Sequence, residues 1–237
     1  MRSDNTPSLL RLVDVLAIIS LSAAFLLVMF YAPIELTMGR VQKVFYFHVA
    51  ASWTGMLGFL VATVAAIAYL KTRDLKWDTA SLAGIEIGMV FIALGIFSGS
   101  IWARPVWNTW WTWDPRLTTT LIMELIYAAY LLLRSGLDDP KNRARLSAVY
   151  ATVGFVSVPL TFISIRVFRT IHPVLVGSSD PSVGTFAMSP RMQAAFFGSL
   201  AAFTILFIAL YWHRYCLGMA QNEVQQKRME IEAGGEG

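Results

Sequence analysis

Cysteine is almost missing from the 237-residue chain. Cys216 stands alone, which excludes an internal disulfide framework and any four-cysteine metal site. Histidine is scarce as well, with His48, His172 and His213 the complete set. Charged residues make up 14% of the chain against about 25% in soluble domains, too few to coat a water-facing surface of this size. The formal net charge of +4 is small and sits between apolar segments, which argues against nucleic acid as a partner. No repeat of roughly 20–50 residues is present and no low-complexity region. The ten-residue alternation of a membrane barrel is absent too. What remains is a chain with 56% hydrophobic residues, a mean hydropathy of +0.57 and eight tryptophans. That composition describes an all-α polytopic membrane protein.

A spanning helix needs roughly 20 mostly apolar residues, because about 30 Å of hydrocarbon is crossed at about 1.5 Å per residue. Six segments meet that length: Leu12–Ala32, Phe47–Leu70, Leu82–Trp102, Leu117–Leu133, Ala148–Phe168 and Gln193–Trp212. The first follows Arg2 and Arg11, but its apolar run is longer than a signal core and Tyr31-Ala32-Pro33 is no small-residue cleavage site, so it is read as a retained helix. Residues 1–220 therefore read as one six-helix domain, and 221–237 as a poorly ordered cytoplasmic tail of frayed helix. Of the 19 Lys and Arg residues, 12 fall at one set of helix ends and 7 at the other. The positive-inside rule puts the richer set, and with it both termini, in the cytoplasm.

Connections one, three and five of any six-span chain share a side. His48 opens the second span, five of the eight tryptophans crowd the third connection between Trp102 and Trp113, and His172 lies in the fifth. His213 is on the opposite side. An aromatic belt accounts for one or two Trp per helix end, and five in so short a segment exceed it. If the segment is helical, Trp107, Trp110 and Trp111 share one face and form a flat apolar shelf suited to a large planar ligand. Imidazoles from two separate loops are what a six-coordinate haem iron requires. Zinc would want three or four protein ligands, and the other outer acids are only Glu35 and Asp180, so zinc is not expected. Arg104 and Arg116 bracket the shelf, placed either for a ligand's carboxylates or for lipid phosphates. Asp114-Pro115 reads as the cap and first residue of a helix, whatever the shelf binds.

Two carboxylates, Glu86 and Glu124, fall within spans and differ in depth by roughly 9 Å. Each is read either as a neutral hydrogen-bonded carboxyl or as part of a polar route. Pro159 predicts a kink in the fifth span, and Gly84, Gly88, Gly95 and Gly99 predict close packing along the third.

The stretch from Trp107 to Thr118, Trp-Asn-Thr-Trp-Trp-Thr-Trp-Asp-Pro-Arg-Leu-Thr, closely resembles the tryptophan-rich signature of haem-handling membrane proteins. Length, six spans and one outer histidine on each side of the signature are similar to the CcmC family of cytochrome c maturation. The larger CcmF and CcsA/ResC types have more helices or further histidines. The resemblance covers essentially the whole chain. It implies haem b bound non-covalently and transiently at the outer, periplasmic face of the inner membrane. His48 and His172 would be the axial ligands, Trp107, Trp110, Trp111, Trp113 and Asp114 the platform, and Arg104 or Arg116 the propionate contact. It also implies delivery to a periplasmic haem chaperone, CcmE, beside the small membrane protein CcmD and the ABC transporter CcmA/CcmB. There are departures. Asn108 stands where the family commonly has Gly, and Ala50 where Pro is frequent. The run before His172 is more basic and less aromatic than usual.

A non-catalytic haem carrier is thus the leading expectation, and not an enzyme. A haem-containing quinol oxidoreductase subunit would place histidine pairs inside the helices, and none is at mid-helix here. A small-molecule transporter would use Glu86 and Glu124 as its pathway.

Overall fold

The computed structural model describes residues 8–36, 38–173 and 188–234. Asp180 and most of the fifth connection lie outside the described residues. Among those described, every regular element is helical and six helical stretches are long and apolar enough to cross a membrane. Helix α1 (Ser8–Leu26) widens into a π-helical turn at Leu27–Tyr31. It is followed by α2 (Gln42–Thr72), α3 (Leu75–Trp107) and α4 (Pro115–Ser135). The fifth span is broken into α5 (Pro140–Gly154) and α6 (Ser157–Val167), and α7 (Pro190–Gly234) closes the bundle.

Local chemistry sets the ends of these helices. Arg73 turns left-handed (φ 60°) to stop α2, and the Asp74 carboxylate accepts from the Lys76 N–H to start α3, so the two form a tight antiparallel hairpin. Two Asp-Pro pairs open the next helices. Asp114 accepts from the Arg116 N–H at 2.9 Å and Asp139 from the Asn142 N–H at 2.8 Å, with Pro in each case at the first helical position. The predicted kink in the fifth span is a full break. Pro159 has no N–H to offer the Phe155 carbonyl, which accepts instead from Val158 at 3.0 Å in a tighter turn.

The predicted glycine packing is the spine of the bundle. A Cβ on Gly58 would lie 2.8 Å from the Gly84 carbonyl oxygen and from the Gly88 Cα, and one on Gly88 would lie 3.0 Å from the Gly55 carbonyl. Helices α2 and α3 therefore touch backbone to backbone, as small residues permit in lipid, where burial from water supplies no drive for helix association. Around this seam one core cluster joins α2 to α5, with Phe59 stacked on Tyr127 at 3.7 Å. A second, at the end that carries the Trp-rich segment, joins α1, α2, α3 and α7 through Val28, Tyr46, Trp102 and Phe196.

The far end is tied by charge. Asp78 and Arg134 form a two-pronged pair at 2.6 and 2.7 Å, and His213 reaches Asp14 at 2.9 Å. Glu86, read from the sequence as a neutral carboxyl or part of a polar route, is instead ion-paired with Arg214 at 2.5 and 3.0 Å. A carboxylate and a guanidinium at that depth relieve each other's desolvation. Glu124 is partly buried with one carboxyl oxygen unpartnered. The final helix runs through the expected tail to Gly234, with all side chains from 221 to 232 exposed.

Gly58→Val has no room at the α2–α3 seam and is expected to lower unfolding stability in detergent by about 1–3 kcal/mol. Gly136→Ala, whose new Cβ would meet nothing nearer than 3.7 Å, should stay within about 0.5 kcal/mol of the parent.

Candidate functional site

The first turns of α2 carry His48 toward α3. Its Nδ1 lies 2.9 Å from the Gly95 carbonyl oxygen. A carbonyl only accepts, so Nδ1 holds the ring proton and the Nε2 lone pair is left free. The ring rests against Gly99, where a Cβ would come within 2.8 Å of Cε1. Gly95 and Gly99, predicted only as packing residues, thus make the seat of a histidine.

His172 reaches the same place from the loop after α6. Its Nδ1 faces the Pro173 carbonyl at 3.2 Å, which again leaves Nε2 free. The two rings are 6.5 Å apart, centroid to centroid, at an interplanar angle of 48°. With metal–nitrogen bonds of about 2 Å and ~1 Å from nitrogen to ring centre, two imidazoles on opposite sides of one metal have centroids roughly 6 Å apart. Among the described residues no three His, Cys, Asp or Glu side chains gather to hold a metal ion.

The histidines line a common cleft. Trp102, Trp107, Trp110 and Trp111 form much of its wall. The shelf is not helical as the spacing suggested. Helix α3 stops at Trp107, and Asn108 takes φ 55°. Pro105 has already removed a backbone donor from the last turn, and Arg104 donates to both the Asn108 carbonyl and its side-chain oxygen at 2.6 Å. A left-handed position suits Gly first and Asn next, so Asn108 ends the helix without a glycine. Beyond it the loop brings Trp110 and Trp111 back to the cleft.

Trp107 stands edge-on to the His172 ring at 6.4 Å and to Trp102 at 5.1 Å. Trp102, which is 7% exposed, is a wall residue that the sequence reading left out of the platform. Its place at the C-terminal end of the third span, one and a half turns before Trp107, was the available signal. Trp113 is not part of the wall; it is 75% exposed and meets Trp111 edge-on at 5.9 Å. Asp114 is not part of the wall either.

The two arginines differ. Arg104 is committed to the Asn108 cap and lies outside the wall. Arg116 lines the cleft, donating to the Thr161 carbonyl at 2.9 Å and lying 4.9 Å from the Phe162 ring. Burial, then the Arg116 charge, then His48 push the His172 imidazole down from 6.5 to about 4. It is therefore neutral, with its lone pair available, at ordinary pH.

The sign of the resulting pH effect follows. Between 6.5 and about 4 an unfolded His172 takes up a proton that the folded one refuses, so stability is full above 6.5 and declines as acid is added through that window. Unfolding midpoints of the ligand-free chain should show this decline, and His172→Ala should flatten it.

The model of the family CcmC, heme exporter protein C, matches residues 3–230. Heme exporter protein C of Bradyrhizobium diazoefficiens is 31% identical over 198 residues, covering 84% of this chain and 72% of that protein. Its namesake in Rhodobacter capsulatus is 30% identical over 204 residues, covering 85% and 80%. A ccmC-like mitochondrial protein of Marchantia polymorpha, named for cytochrome c biosynthesis, is 26% identical over 186 residues, covering 77% and 79%. With a match this long on a six-helix membrane frame, the chain belongs to the heme exporter protein C family.

Proposed function

We propose that this chain is a haem carrier for cytochrome c maturation, holding haem b non-covalently between His48 and His172 and then giving it up. The observation that carries the reading is the 6.5 Å spacing of two rings whose Nε2 atoms are both free. The walls support it. Indole surfaces from Trp102, Trp107, Trp110 and Trp111 suit a flat apolar macrocycle. Of the two arginines, Arg116 lines the cleft and Arg104 does not, which favours Arg116 as the propionate contact.

Cargo that must leave calls for an open site, and Trp110 on the cleft wall is 59% exposed. The excess of Lys and Arg at the opposite helix ends supports a periplasmic position for the cleft and cytoplasmic termini. On this reading the acceptor is a periplasmic haem chaperone of the CcmE kind, with CcmD and the CcmA/CcmB transporter as membrane partners. A transporter route through Glu86 loses its support, because that carboxylate is occupied by Arg214. A quinol-oxidising subunit loses its own, because neither cleft histidine is at mid-span.

Absorption spectra of the purified full-length chain loaded with haem test the reading. The parent protein should be low-spin with two nitrogen ligands, and His48→Ala and His172→Ala should each lose that signature. Unchanged low-spin haem in both variants would refute ligation by the pair.

A further inference from the structure

The two histidines are held in different ways. His48 belongs to a long helix, its Nδ1 is bonded to a carbonyl on α3, and its ring packs on Gly99 across the tightest seam in the bundle. His172 is on a loop, and among the described residues its ring nitrogen bonds to the carbonyl of the very next residue. Its backbone N–H donates to the Thr170 hydroxyl oxygen at 3.0 Å. Thr170 in turn donates to Asp114 Oδ1 at 2.8 Å, and the Ile171 N–H donates to Asp114 Oδ2 at 2.9 Å. The same Oδ1 caps α4 through the Arg116 N–H. One carboxylate therefore ends the tryptophan loop, starts α4 and ties down the two residues before His172. Ionised acceptors make bonds roughly twice as strong as neutral ones, so the two from Thr170 and Ile171 are the strongest restraints that the described residues give that loop.

We infer that His172 is the releasable ligand, and that Asp114, acting through Thr170 and Ile171, is the positioning residue that couples its seat to the tryptophan loop. This rests on the reading of His48 and His172 as a haem-binding pair. The coupling has a mechanical direction. Trp110 and Trp113 are the exposed members of the loop, and Asp114 follows Trp113 directly in the chain. A displacement of the loop by an acceptor docked on those rings therefore moves the carboxylate on which the His172 loop hangs, while the α2–α3 seam keeps His48 in place. The ligand that gives way is His172, and the haem leaves toward the open side with His48 as its last hold.

Two variants separate this coupling from general damage. Asp114→Ser keeps a good helix cap but is too short to reach the loop. Thr170→Val keeps shape and removes the bridging hydroxyl, and Thr170→Ser restores it. In the haem-free chain, amide hydrogen exchange over residues 170–172 should quicken in Asp114→Ser and Thr170→Val and return to the parent rate in Thr170→Ser. In the loaded chain, transfer of haem to excess apomyoglobin should quicken about tenfold in the first two variants, the scale of one charge-assisted hydrogen bond. Their spectra should gain a five-coordinate fraction, with His48 still bound. Parent-like exchange in both variants would overturn the positioning role, and altered exchange with parent-like transfer would overturn the release role. In either case a changed spectrum in His172→Ala would leave the haem-binding reading standing. Parent-like spectra in both histidine variants would sink that reading, and with it this inference.

Discussion

The close approach of α2 and α3 is the constraint on which the rest of the site depends. Gly55 and Gly58 on one helix and Gly84 and Gly88 on the other let two backbones meet with no side chain between them. In a lipid environment this contact is made by dispersion and geometry alone, so its fit cannot be traded for extra apolar bulk. Further along, the same contact brings the Gly95 carbonyl to the His48 ring and leaves Gly99 as the surface on which that ring lies. The orientation of the imidazole is thus a by-product of helix packing. It needs no dedicated polar partner in the second helix, only a backbone oxygen brought near enough.

Around that fixed point the cleft combines two opposed demands. Burial keeps the His172 imidazole neutral, and the Arg116 charge beside it works in the same direction. Neutral rings with their Nδ1 protons already committed are ready to donate a lone pair without first losing a proton. At the same time Trp110 on the wall is exposed, as is Trp113 just beyond it in the same loop. Readiness to bind and freedom to release are therefore built from different parts, the first from backbone carbonyls and burial, the second from a loop.

The sequence carried much of the frame. Apolar runs of spanning length located all six membrane helices, although the structural helices overrun them: α2 begins at Gln42 rather than Phe47, because hydropathy measures the hydrocarbon slab and not the hydrogen-bonded ladder. Asp114-Pro115 was readable as a helix start, since the cap is local. The glycine spacing on the third span was readable as packing for the same reason. Parity alone put His48, the tryptophan run and His172 at one end of the bundle. What stayed hidden was long-range. The bonds from Thr170 and Ile171 to Asp114 cross 56 and 57 residues, and Glu86 finds Arg214 across 128. No pattern within a window can show such pairs. The i, i+3 and i+4 spacing of Trp107, Trp110 and Trp111 left the helical condition open, and Pro105 with Asn108 stops the helix before it can apply.

The length of α7 has a consequence of its own. At 45 residues it is about 68 Å long, more than twice the roughly 30 Å of hydrocarbon it crosses. Its second half therefore extends past the hydrocarbon as a helical post, its side chains from 221 to 232 exposed and Glu223 paired with Lys227. At its base the post is bolted to α3, by Asn222 to Thr79 and by Arg214 to Glu86. Those two joints fasten the post to the same helix that, nearer its other end, supplies the carbonyl and the glycine on which the His48 ring is seated.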